Sequence, residues 1–199
     1  MKVRTMLLTL CVLLLPLFSF ASQPCVSGIL QDYIALGTTG CTFDGVTFAN
    51  FSYQATTPGV SAKNVQVVLF SPTSTDPELK FMGMWRAAGG ETLQAVIKYT
   101  VQMPATGSSR EALLQLLLGP TAASGTVGSG EVDEATNVGN LSVFVKRNGS
   151  SFQFKRIAFL HFSPPSALKT VENKVTVMGG DKGTTLTYFF NTFNSNPAF

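Results

Sequence analysis

The chain has 199 residues, 45% of them hydrophobic, 11% aromatic and only 13% charged, with 14 Lys and Arg against 11 Asp and Glu and a single His. That charged share is about half the usual quarter, and a chain so rich in Phe, Val and Leu hides them from water rather than staying solvated, which excludes intrinsic disorder. The length is that of one domain.

Residues 1–21 read as a cleaved export signal. Lys2 and Arg4 make the positive start, Met6 to Phe20 is a nearly unbroken apolar run, and Ser19-Phe20-Ala21 offers small residues where a signal peptidase reads. A membrane span needs about 20 apolar residues, and this run is shorter and interrupted by Pro16. Removing the segment takes away Lys2 and Arg4 and no acid, so 178 residues remain (22–199, expected as one domain) with 12 basic and 11 acidic side chains and a formal charge of +1 instead of +3. Beyond the pairs Lys146-Arg147 and Lys155-Arg156 no basic cluster survives. Nucleic acid needs several phosphate-contacting cations on one face, so it is excluded as a partner.

Cys11 leaves with the signal, and Cys25 and Cys41 remain as an even pair in an exported chain, which predicts one disulfide closing a short loop. No His stands near them, so they cannot complete a tetrahedral zinc site. Between them, Ile29 to Leu36, ended by Gly37, reads as one short helix.

From Thr38 onward, short apolar runs alternate with Gly, Pro, Asn, Asp and Ser clusters every ten residues or so, the rhythm of a sandwich or barrel. Strands are predicted near Val46–Tyr53, Asn64–Phe70, Leu79–Trp85, Leu93–Met103, Val127–Glu134, Leu141–Val145, Phe152–Phe162, Leu168–Val177 and Thr184–Phe193. The inward sets step by two: Val65, Val67 and Leu69; Leu79, Phe81, Gly83 and Trp85; Ile97, Tyr99, Val101 and Met103. Arg110–Leu118 is Leu- and Ala-rich without β-branches, which suits a helix, while its length and the Gly119-Pro120 stop favour a buried strand. Pro104–Ser109 and Thr121–Gly130 read as crossover loops, Asn148-Gly149 as a tight hairpin turn and Gly179–Gly183 as a second turn.

Residues capable of chemistry are few and scattered. Glu131 and Asp133 alternate onto one face with Glu134 opposite. Two carboxylates across a cleft could hydrolyse a glycoside, but such a row also suits an exposed edge strand, the preferred reading. No Ca²⁺-loop spacing accompanies these acids. His161 shares a strand face with Ile157 and Phe159, and no Gly-x-Ser-x-Gly motif accompanies it, so it reads as structural. Trp85 is in phase with Leu79 and Phe81 and reads as core, while Tyr33, Tyr53, Tyr99 and Tyr188 remain candidates for a sugar-stacking platform. Asn50, Asn140 and Asn148 open Asn-x-Ser sequences, relevant only in a eukaryotic secretory pathway.

The order of these pieces resembles a known group. Cys25, Asp32-Tyr33, Gly40-Cys41-Thr42, Val46 to Tyr53, Leu79-Lys80-Phe81 with Trp85, Ile97 to Val101, Gly125–Glu134 and Val175 to Gly180 are similar to bacterial exported proteins grouped as PEP-CTERM sorting domain-containing proteins. The likeness spans most of residues 25–193; it implies an exported bacterial β-sandwich and carries over no catalytic residue. A sorting tail of that group would hold Pro-Glu-Pro, an apolar span and a basic cluster, whereas this sequence ends Asn194-Ser195-Asn196-Pro197-Ala198-Phe199. Release to the periplasm or the outside, with no membrane anchor after signal cleavage, is the expectation.

The sequence therefore predicts an all-β protein: a two-sheet antiparallel, jelly-roll-like β-sandwich of eight to ten strands with one short N-terminal helix and a Cys25–Cys41 clip. The expected role is a non-catalytic surface, matrix or binding component without cofactor or metal, its partners extracellular polysaccharide or other surface proteins. The alternative is a carbohydrate-binding module, and the third reading a glycan-active enzyme using Glu131 or Asp133.

Overall fold

The computed structural model describes residues 22–56, 60–71, 76–103, 110–118, 127–162 and 168–193, with the backbone alone for 110–118 and 161–162. The predicted signal 1–21, the loop Pro104–Ser109 and residues 121–126 of the next loop lie outside the described residues. In chain order the elements are β1 (Gln23–Pro24), β2 (Gly28–Ile29), α1 (Leu30–Ala35), β3 (Cys41–Phe43), β4 (Val46–Ala55), β5 (Gln66–Phe70), β6 (Glu78–Ala87), β7 (Thr92–Gln102), β8 (Arg110–Leu118), β9 (Gly128–Thr136), β10 (Gly139–Asn148), β11 (Ser151–Lys155), β12 (Ile157–Phe162), β13 (Thr170–Met178) and β14 (Thr184–Phe193).

These strands form a two-sheet β-sandwich. One sheet has the order β1-β3-β4-β7-β13-β9-β10-β11, the other β12-β8-β14-β6-β5-β2, and every pairing except β1 with β3 is antiparallel. Among the described residues fourteen strands exceed the predicted eight to ten, because three of two or three residues carry too little pattern to read and one predicted strand is two. Arg110–Leu118 is a strand, paired with both β12 and β14; a segment with two ladder partners keeps its hydrogen bonds without a helix, so packing overrides its propensity.

Two predicted boundaries move. Phe152–Phe162 is not one strand: it breaks at Arg156, with β11 at the edge of the eight-stranded sheet and β12 at the edge of the other. Even-numbered residues keep pointing toward the sandwich interior on both sides of that corner, so the alternation runs through it unbroken. At the β10–β11 hairpin Asn148 pairs with Ser151, and the central residues are Gly149-Ser150 rather than Asn148-Gly149. Gly149 has φ +60°, the value a turn of type II′ demands of its first central residue.

Between the sheets a line of rings runs from Trp85 to Phe189 (centroids 5.7 Å apart), Phe81 (5.1 Å), Tyr99 (5.9 Å) and Phe51 (5.1 Å), then to Tyr33 on α1 (5.1 Å). All six rings are buried, and ring contacts of this kind add about 0.5–1.5 kcal/mol each beyond area burial. The predicted inward set Leu79, Phe81, Gly83 and Trp85 is buried throughout. A Cβ at Gly83 would lie 2.9 Å from the Trp85 ring, so the missing side chain is what gives the indole its place.

Helix α1 packs Leu30 and Tyr33 inward beside β4. The Cys25–Cys41 disulfide holds its flanks, with Cα atoms 4.8 Å apart and the two residues separated by 16 in sequence. The double variant Cys25→Ser, Cys41→Ser is expected to lose about 3 kcal/mol of stability from the released loop. In hydrogen exchange, the amides of α1 and β3 should lose protection before those of β7 or β13.

Candidate functional site

The site is built on the outer face of the eight-stranded sheet, where β4 departs from regular pairing. Its register against β7 shifts between Ala49 and Ser52, and Asn50 has φ +54°, a left-handed value uncommon outside glycine. Asn is one of the side chains that tolerate it. Three bonds fix the bulge: Asn50 N–H donates to the Gly37 carbonyl at 2.8 Å, Asn50 Nδ2 donates to Thr100 Oγ1 at 3.0 Å, and Thr100 Oγ1 donates to the Ala49 carbonyl at 3.1 Å. Bulges of this kind re-aim a side chain and gather beside binding sites.

Two abutting open cavities meet at this bulge, one of about 820 Å³ and one of about 520 Å³, sharing Asn50, Thr100 and Thr170 in their walls. The larger is lined by Thr38, Thr39, Thr47, Gln102 and Lys169 besides, the smaller by Ser52, Thr136 and the ion pair Lys98–Glu172. Lys98 Nζ lies 2.7 Å from the Glu172 carboxylate, and the register sets the two residues directly opposite on β7 and β13. Asn137 Oδ1 accepts from the N–H groups of Lys169 and Thr170 at 2.8 and 3.1 Å, pinning the chain entering β13. The result is a shallow groove across β4, β7 and β13 in which these hydroxyl and amide groups share the walls with apolar surface from Val101, Met103, Leu168, Tyr99 and Val171.

The predicted site residues are dispersed. Glu131 and Asp133 do project to the outer face of β9, but β9 lies inside the sheet, between β13 and β10, which overturns the edge-strand reading. An inner strand with one solvated face has the same alternation as an edge strand. Lys146 Nζ lies 3.7 Å from Glu131, and Asp133 stands opposite Lys174 on β13 and Ser142 on β10. His161 is in the other sheet, its backbone opposite Glu111 on β8.

The four tyrosines make no platform. Tyr33 is buried with its hydroxyl donating to the Val26 carbonyl at 2.9 Å, and burial pushes its pKa up to about 12. Tyr99 lies between the sheets, Tyr53 is half-buried on β4, and Tyr188 sits on the outer face of the six-stranded sheet with Lys80 Nζ 3.9 Å from its ring centroid. Among the described residues the exposed aromatic side chains are instead Phe70, Phe152, Phe154 and Phe159. Trp85 is core, as expected.

Glu134, facing inward on β9 away from Glu131, is the residue whose role the sequence conceals. It is 1% exposed between the sheets. Asn191 Nδ2 from β14 donates to its Oε2. Asn191 Oδ1 in turn accepts from Asn173 Nδ2 on β13 and from the Tyr99 hydroxyl on β7, both at 2.9 Å. Glu134 Oε1 has no hydrogen-bond partner among the described residues. Burial raises the Glu134 carboxyl from 4.5 to about 8, opposed only in part by the Asn191 bond, so it is largely protonated at neutral pH. Tyr99 is driven up by burial first and by the Glu134 charge second. This network joins four strands of both sheets, and of its four residues only Tyr99 lines either cavity, the smaller one. Its only sequence signal is polar residues at inward positions, Asn173 between Val171 and Val175 being the clearest.

Among the described residues no three of His, Cys, Asp and Glu come together as metal ligands, and no helix is long and apolar enough to cross a membrane.

No protein-family model and no curated protein sequence matches this chain. Among solved structures it is similar to the carbohydrate-binding module TmCBM61, determined with β-1,4-galactotriose, at TM-score 0.31 and 17% identity over 70% of this chain and 86% of the module. TmCBM27, a carbohydrate-binding module studied for mannan recognition, gives 0.28 and 6% identity over 85% and 96%. The enzymatically active domain of tailspike protein 4 of bacteriophage CBA120 gives 0.29 and 14% over 72% and 19%. At scores this low the sandwich assignment rests on the chain's own strand order, and what those proteins bind stays with them.

Proposed function

We propose that the protein is an exported, non-catalytic binding component whose ligand is a neutral glycan chain lying in the β4–β7–β13 groove. The observation that carries this reading is the wall chemistry at the Asn50 bulge: Thr47, Thr100, Thr170, Gln102 and Asn50 around one open trough. Neutral donors and acceptors on a rigid sheet complement an array of sugar hydroxyls, and hydrogen bonds of this type contribute about 1 kcal/mol each. Lys98 and Glu172 neutralise one another at the groove's second cavity, which leaves no net charge to select an ionic ligand there. The disulfide and the predicted signal suit an oxidising compartment; with the bacterial exported proteins it resembles, we place it in the periplasm or outside the cell.

Retention on a panel of soluble and insoluble polysaccharides tests the reading. Asn50→Gly keeps the left-handed backbone while removing the amide, and Gln102→Ala removes a second one; each is expected to weaken binding about fivefold with no loss of fold. Failure of the unaltered protein to bind any glycan of the panel, or equal binding by both variants, would remove the groove from consideration.

A further inference from the structure

We propose that β11 is a homodimerisation edge, pairing antiparallel with β11 of a second copy about a two-fold axis through Gln153. β11 is the last strand of the eight-stranded sheet, bonded to β10 alone, and all five of its residues are exposed. In the two-residue β10–β11 hairpin the flanking pair Asn148–Ser151 is the hydrogen-bonded kind, so strand alternation turns the N–H and C=O groups of Phe152 and Phe154 away from β10, to the open edge. Phe154 stands opposite the buried Val145 and Phe152 opposite Arg147, which sets both rings on the interior side of the sheet. They are nevertheless 56% and 50% exposed, with centroids 5.4 Å apart, because β11 overhangs the facing sheet.

Ser151-Phe152-Gln153-Phe154-Lys155 is self-complementary in that register. Phe152 meets the second copy's Phe154 and the reverse, giving four backbone hydrogen bonds and two cross-strand aromatic pairs. Lys155 faces the second copy's Ser151, and the two Lys155 residues are held about 14 Å apart along the strands, beyond the ~8 Å over which exposed charges act at physiological salt. The axis makes the contact isologous, and it closes at two. The sheet's other edge is β1, two residues long and ending in Pro24, which has no N–H to offer a further strand.

Sedimentation of the purified protein in a dilution series, with Gln153→Lys and Gln153→Glu, tests this. Gln153 is exposed, so neither substitution is expected to move the melting temperature. The unaltered protein should reach twice the chain mass at high concentration, and each variant alone should stay at the single-chain mass, because two like charges then face each other across the axis. An equimolar mixture of the two variants should regain the doubled mass. An unaltered protein that stays at the single-chain mass at its highest soluble concentration would overturn the proposal and leave β11 open to a strand of some other protein. Dimers that persist in both variants, or open-ended oligomers, would overturn it as well.

Discussion

Glu134→Gln is expected to raise the melting temperature strongly near pH 8 and to leave it almost unchanged near pH 5. The carboxyl is held at about 8 in the folded protein and returns to about 4.5 when the sheets separate. Between those values the folded state keeps a proton that the unfolded chain has released. This group's contribution to stability is therefore full below about 4.5, falls as pH rises, and is lost above about 8. At about 1.4 kcal/mol for each pH unit, the loss across the interval is on the order of 5 kcal/mol. Gln matches the neutral carboxyl in shape and still accepts from Asn191 Nδ2, so it keeps the network without a proton to lose. Urea unfolding of both proteins from pH 5 to 9 measures the difference. Parallel pH profiles for the two would show that Glu134 is not the group responsible.

Gly180→Ala is expected to prevent folding at ordinary temperature, a loss of more than about 4 kcal/mol. Gly180 has φ +59°, and a Cβ there would lie 1.4 Å from the Val127 carbonyl oxygen, a backbone atom at the entrance to β9. The turn cannot move aside. Gly90 N–H donates to the Gly180 carbonyl at 2.5 Å, Gly179 N–H to the Glu91 carbonyl at 2.9 Å, and Val127 N–H to Asp181 Oδ1 at 3.0 Å. Gly149→Ala is the control, with the same backbone angle (φ +60°) but nothing within 4 Å of the new methyl, so only the left-handed cost of about 1–2 kcal/mol applies. Equal losses in the two variants would mean that backbone angle, not crowding, sets the cost at Gly180.

The sandwich was legible because both sheets write alternation into the chain: Phe81, Trp85, Ile97, Tyr99 and Val101 all fall inside, where period two puts them. Cys25 and Cys41 were legible because the one other thiol, Cys11, falls in the predicted signal. The corner at Arg156 was not, since parity survives the passage from one sheet to the other. Nor was the place of β9 in its sheet, which depends on partners some forty residues downstream. The groove stayed hidden for a related reason: Thr47, Thr100 and Thr170 belong to three strands far apart in sequence and meet only through register. Glu134 was read correctly as opposite Glu131 and Asp133, but nothing local distinguishes a carboxyl facing Asn191 from one facing water.

The order in which strands are laid down has its own consequence. β13 joins β7 to β9, and β14 joins β6 to β8, yet both follow all four in the chain. Until residues 168–193 arrive, the molecule is four separate blocks of strands with their edges open, and no sheet is whole. Contacts this distant in sequence form slowly, and open edges invite association with other chains. Synthesis that halts before β13 would yield an aggregating fragment rather than a smaller sandwich.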